Sequence, residues 1–224
     1  METKKAKIFN VIILDKSGSM QSIARQAVDG VNETLGSIRS SQLRNPEQDN
    51  YVTLVAFCGC ERRTIYDATP IADARDITAS DYRPCCTTPL YDAVGFTITR
   101  MHNEVEGHRA AVSVTIITDG YENSSREYTG EAVKSLIDSY KKQGWLFAYI
   151  GADHDVEAVA ARLSIQHTLT FDKTAEGTAK MFSTGNVARS KWSKKMSELL
   201  VDDSLSDEAL PMGMLGANED YFDK

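Results

Sequence analysis

Three short segments carry side chains suited to holding a cation: Asp15-Lys16-Ser17-Gly18-Ser19, Thr88-Pro89-Leu90-Tyr91-Asp92-Ala93 and Thr118-Asp119-Gly120. Asp15, Asp119, Ser17, Ser19 and Thr88 offer two carboxylates and three hydroxyls. All are hard oxygen donors, the type selected by Mg2+, Mn2+ or Ca2+, and no His or Cys lies in the three segments. A second set is soft. Cys58, Cys60, Cys85 and Cys86 supply four thiols, a set that suits zinc or an iron–sulfur cluster if the chain brings them together. Their Cys-x-Cys and Cys-Cys spacings are not the usual two-residue-gap knuckles, and buried reduced thiols are common in cytosolic proteins, so zinc is the minor reading.

The elements that must position these groups follow from apolar periodicity. Short runs rich in Val and Ile alternate with longer amphipathic stretches, the mark of βα units around a mostly parallel sheet. Strands are expected at Lys7 to Leu14, Tyr51 to Cys58, Val112 to Thr118, Trp145 to Ile150 and His167 to Phe171, with Arg62 to Tyr66 returning beside the second as an antiparallel edge. Helices are expected where Ile23, Ala27, Val31, Leu35 and Ile38 share a face, from Pro89 to about Val105, and over Gly130 to Gln143 and Val156 to Leu163. The stretch SSQLRNPEQDN reads as a loop. Thr174 to Leu200 reads as a helix with a break at Gly185, and Val201 to Lys224 as a tail with little periodicity. In such sheets, sites gather at the carboxyl ends of strands, where all three oxygen-bearing segments could meet.

Taken together, these residues resemble the von Willebrand factor type A (VWA) domain and its metal-ion-dependent adhesion site, whose pattern is Asp-x-Ser-x-Ser, then a Thr, then an Asp. Asp15, Ser17 and Ser19 match the first element, Thr88 the second and Asp119 the third; Pro-Leu-Tyr-Asp-Ala after Thr88 also looks like the family's helix start. Cys85-Cys86-Thr87 replaces glycine-rich sequence found in many relatives and leaves Thr87 or Thr88 as the ligand. The resemblance implies a three-layer, doubly wound, mostly parallel α/β sheet of about six strands with one antiparallel edge, a Rossmann-like fold flanked by helices. The resemblance covers about 7–172, the core of an expected VWA domain over 1–200; the residues past it read as a helical extension at 173–200 and an acidic, partly disordered tail over 201–224. The resemblance further implies Mg2+, or Mn2+ or Ca2+, held directly by Ser17 and Ser19, directly or through water by Thr88, and mainly through water by Asp15 and Asp119. An ion so held keeps much of its charge and favours an incoming Asp or Glu from a partner protein. By the same resemblance to stand-alone intracellular bacterial relatives, that partner could be an AAA+ ATPase or a stress-response complex.

Other chemistries fit less well. ILDKSGS begins like a haloacid-dehalogenase phosphatase motif with Asp15 as nucleophile, but Ser17 stands where the second, acid/base Asp is required. There is no Gly-x-x-x-x-Gly-Lys loop and no Gly-x-Ser-x-Gly elbow, so a binding module is expected rather than an enzyme. A net charge of −7 argues against a chain-wide grip on nucleic acid or anionic lipid, although Lys191, Trp192, Lys194 and Lys195 form one basic cluster, expected to be a solvated face with Trp192 packed inward. No apolar run nears the roughly 20 residues of a membrane span, no signal peptide is evident, and adjacent cysteines do not make a secreted disulfide framework; cytoplasmic residence is the expectation. The acidity is concentrated: 202–224 carries −6 of the −7. That tail is expected to be solvated, or to act as an internal or intermolecular carboxylate ligand.

Overall fold

The computed structural model describes residues 5–222. β1 (Ala6–Asp15) is followed by a 3-10 turn (Gly18–Ile23), α1 (Ala24–Arg44), β2 (Gln48–Cys58) and β3 (Glu61–Pro70). Then come α2 (Leu90–Val105), β4 (Ala110–Thr118), α3 (Gly130–Lys141), β5 (Leu146–Gly151), α4 (Val156–Arg162), β6 (His167–Thr170), α5 (Ala175–Val201) and α6 (Leu210–Asn218). The six strands lie in the order β3-β2-β1-β4-β5-β6, with β2 and β3 antiparallel and every other pair parallel.

Why β1 is an unbroken apolar run is visible in its two faces. Phe9, Val11 and Ile13 pack with Val94, Ile98, Val133 and Val159 on one side, and Ile12 and Leu14 with Val31, Leu35 and Phe182 on the other. A strand covered on both faces has no solvent side to make polar. The one polar interruption, Asn10, is buried and donates to the Tyr51 carbonyl at 3.2 Å. Strand order reverses between β1 and β4, so the crevice outside their carboxyl ends is the topological switch point where open α/β sheets bind ligands. Asp15 ends β1, and Asp119 follows β4.

Several boundaries depart from the sequence expectation. α1 runs through the expected loop to Arg44, and β2 begins at Gln48. α5 has no break at Gly185, where a Cβ would meet nothing within 4 Å. The helix keeps its course because Met181, Phe182, Ala188, Trp192, Met196 and Leu200 bury one face across that glycine. The segment read as an unstructured tail instead contains α6, with Leu210, Met214 and Tyr221 in a third cluster with Trp192, Ala6, Ile8, Ala111 and Leu146. At nine residues, with Leu210, Met212, Met214 and Leu215 spread around it, α6 is too short to show a period, but the amino ends of β1, β4 and β5 present a surface for it. Asp223 and Lys224 lie outside the described residues. Among the described residues, no helix is long and apolar enough to cross a membrane.

Candidate functional site

The three oxygen-bearing segments converge at the switch point. Asp15 is fully buried; its Oδ1 accepts from the Ser17 backbone N–H at 2.6 Å, and its Oδ2 from Thr118 Oγ1 at 2.6 Å. That pairing fixes the carboxylate between β1 and β4, while the Tyr82 hydroxyl donates to the Asp15 carbonyl at 2.6 Å. Ser17 Oγ lies 3.1 Å from Ser19 Oγ, and Ser19 Oγ donates to Asp119 Oδ1 at 2.6 Å. Asp15, Ser17, Ser19 and Asp119 therefore form one hydrogen-bonded chain.

Thr88 reaches the same place from the opposite side. Its N–H donates to Asn123 Oδ1 at 2.8 Å and its carbonyl accepts from the Asn123 N–H at 3.1 Å, so the loop after Asp119 holds the loop before α2. A Cβ on Gly120 would lie 3.9 Å from both Ser19 Oγ and Thr88 Oγ1, which places the two hydroxyls around the same glycine. Thr87 faces elsewhere: its Oγ1 would stand 2.0 Å from a Cβ on Gly59, in the β2–β3 turn. Of the two adjacent threonines, Thr88 is the one brought to the other oxygens.

Residues other than the five oxygen donors also shape the site. Asp92, in the first turn of α2, accepts from the N–H groups of Arg126, Glu127 and Tyr128 at 2.8–2.9 Å. Glu122 accepts from the Tyr91 N–H at 2.9 Å. Together they clamp the 121–128 loop to the helix start. Lys16 turns away from the oxygens and pairs with Glu61. Lys173, just before α5, turns inward: its Nζ lies 2.7 Å from Asp119 Oδ2, 3.2 Å from Asp153 Oδ2 and 3.1 Å from the Ser19 carbonyl. The spacing of Lys173 from every motif, 54 residues past Asp119 in sequence, gave no reason to place it here.

Electrostatics follow from burial. Desolvation pushes the Asp15 carboxyl up to about 6, against the pull of its bonds from Thr118 and Ser17. Burial opposes the charge of Lys173, but Asp119 and Asp153 hold its pKa above the ordinary lysine value. Asp119 Oδ2 is buried, and its close partner among the described residues is the Lys173 ammonium at 2.7 Å. A cluster of hard oxygens with two buried carboxylates, one of them already drawing a cation in the Lys173 ammonium, fits a small divalent cation chemically.

The four cysteines also meet. Cys58 closes β2, Cys60 follows the turn, and Cys85 and Cys86 lie in the loop before α2; their sulfurs are all within 4.8 Å of one another. Cys60 and Cys86 are joined by a disulfide, and Cys58 and Cys85 are free thiols. The four thiols thus do approach one another, and one disulfide joins a member of each close pair because the turn and the loop are neighbours.

No protein-family model matches the chain, and no curated protein matches it in sequence. Solved structures match in fold. The vWF domain of the type V pili tip protein Mfa5 from Porphyromonas gingivalis aligns with a TM-score of 0.57 at 12% identity, over 82% of this chain and 96% of that domain. The SpRpn10 VWA domain gives 0.53 at 13% identity, over 81% and 94%. The pilus adhesin SpaC from Lactobacillus rhamnosus GG gives 0.59 at 14%, over 85% of this chain but 30% of that protein. Against the proximal thread matrix protein 1 of the mussel byssus, the chain spans 45% of the other's length. At these identities the likeness is one of fold: the chain has a VWA-like α/β fold.

Proposed function

We propose that this chain is a protein-interaction module whose binding depends on a divalent cation held by Asp15, Ser17, Ser19, Thr88 and Asp119. The observation that carries the reading is the meeting of three sequence-distant segments, all oxygen-bearing, at the crevice where the strand order reverses. Bound there, Mg2+, Mn2+ or Ca2+ would supply a positive centre with a coordination position for a partner's Asp or Glu. Ser17, Ser19 and Thr88 offer neutral oxygens, while Asp15 and Asp119, each tied into hydrogen bonds, supply the compensating negative charge. Ser19 and Tyr121 are exposed, which leaves the partner an approach. Support also comes from the fold it shares with SpaC, a pilus adhesin by description.

Calorimetric titration of the chelator-stripped protein with Mg2+ or Mn2+ tests the cation site. Chelator-sensitive retention of one and the same protein on immobilised chain, lost with Asp119→Ala, tests the binding function. Saturable cation binding undiminished in Asp119→Ala sinks the assignment.

Lys173 makes a separate prediction. Its ammonium already neutralises Asp119 and stands where a divalent cation would feel its repulsion. Unit charges about 4 Å apart interact by roughly 4 kcal/mol at an effective dielectric of 20, and partial exposure of Lys173 reduces that. Lys173→Met is therefore expected to tighten Mg2+ binding at least tenfold, about 1.4 kcal/mol. Unchanged or weaker binding would mean that Lys173 serves to position Asp119.

A further inference from the structure

We propose that Cys58, Cys60, Cys85 and Cys86, when all are reduced, form a structural zinc site that ties the β2–β3 turn to the loop entering α2. The inference is independent of the oxygen site and concerns a different metal with different ligands.

Geometry is its first support. Four thiolates about zinc at roughly 2.3 Å stand about 3.8 Å apart along each tetrahedral edge. Here all four sulfurs lie within 4.8 Å of one another, and Cys58 Sγ is 3.6 Å from Cys85 Sγ. Two independent disulfides would need closeness only within each pair, whereas a tetrahedron needs every sulfur near every other. Cys58 is buried and the other three are exposed, so an ion has a way in.

The backbone around the cluster is built for close approach. Lys16 N–H donates to the Phe57 carbonyl at 2.7 Å, Cys85 N–H to Lys16 at 2.9 Å, Gly18 N–H to Cys86 at 3.0 Å and Gly59 N–H to Thr87 at 2.8 Å. Gly59 is required between Cys58 and Cys60, since a Cβ there would overlap Thr87 Oγ1. Cys86 holds φ at +65°, a left-handed conformation that a non-glycine residue keeps where its surroundings dictate it. The turn, the 85–87 loop and the segment after β1 thus form one hydrogen-bonded corner, with the sulfurs on it.

The chemistry balances simply. A dithiol reductant gives two electrons to the Cys60–Cys86 bond, leaving two cysteine thiols and its own cyclic disulfide. Zn2+ then forms four Zn–S bonds as each thiol releases its proton to the buffer, with no change in oxidation state.

The full chain, reduced anaerobically with a dithiol, incubated with zinc chloride and desalted, should retain stoichiometric zinc by elemental analysis. Cobalt(II) in its place should give the intense visible absorption of a tetrahedral thiolate complex. Cys85→Ser and Cys86→Ser should each lose zinc to a competing chelator at least about tenfold more readily while keeping the parent circular-dichroism spectrum. Zinc well below stoichiometry in the reduced, folded protein overturns the proposal, as does retention unaffected by Cys85→Ser or a cobalt complex without thiolate absorption.

Discussion

Asp15→Asn should abolish Mg2+ binding and at the same time stabilise the metal-free protein at neutral pH. Asp15 is completely buried, and desolvation raises its pKa from 3.8 to about 6. A carboxyl whose pKa rises on folding binds its proton more tightly in the native state. The fold is therefore least penalised below about pH 4 and loses stability as pH climbs towards 6, above which the cost is constant. That cost is of order 3 kcal/mol from the size of the shift. An asparagine removes the charge while keeping both contacts, its oxygen accepting from the Ser17 N–H and its amide facing Thr118 Oγ1, which already hydrogen-bonds with Gly120. With chelator present, the variant should melt several degrees above the parent at pH 8, and the gap should close towards pH 4. Added Mg2+ should raise the parent's melting temperature by mass action and leave the variant's unchanged. A variant that melts below the parent at pH 8, or that still responds to Mg2+, contradicts the burial argument or the site.

Trp192→Ala should cost about 3–5 kcal/mol, the range for removing a large buried aromatic side chain. Trp192 is 2% exposed at the centre of the third cluster, against Ala6, Ile8, Met196, Leu210 and Met214, and its Nε1 donates to Asn218 Oδ1 at 2.8 Å. Asn218 in turn donates to the Gly144 carbonyl at 3.1 Å, so the indole helps fix α6 against the turn before β5. Urea denaturation measures the loss, and Lys191→Ala on the same helix, expected within about 0.5 kcal/mol, is the control. A loss for Trp192→Ala no larger than the control's would mean that α6 contributes nothing to the fold. Because this cluster lies at the amino ends of the strands, nearly the length of β1 from Asp15 or about 30 Å, cation affinity of the folded variant should not change. The same distance bears on the acidic tail: α6 packs at the far end, so a carboxylate from its described part would have to leave that packing to reach its own chain's cation site.

Much of the architecture is legible in the sequence because each strand and helix carries its own period. The run KIFNVIIL has no room for a helix's polar face, and Ile23, Ala27, Val31, Leu35 and Ile38 have no other reason to recur at three and four. The order Asp-x-Ser-x-Ser, Thr, Asp, through its resemblance to the VWA pattern, likewise singles out Asp15, Ser17, Ser19, Asp119 and one of Thr87 and Thr88. These are local facts, decided by neighbours a few residues away.

What only the tertiary structure decided are matters of which distant segments touch. Thr88 rather than Thr87 turns to Ser19 because Thr87 is spent on Gly59 across the turn. Lys173 meets Asp119 because α5 starts beside the carboxyl end of β4, which no spacing encodes. Residues 210–218 become a helix because the amino ends of three strands leave an apolar surface for it, and the continuity of α5 past Gly185 is dictated by the sheet beneath. The cysteines are the sharpest case: Cys58-x-Cys60 and Cys85-Cys86 resemble no metal motif along the chain. They become a cluster of four sulfurs only when the β2–β3 turn and the loop before α2 are hydrogen-bonded side by side.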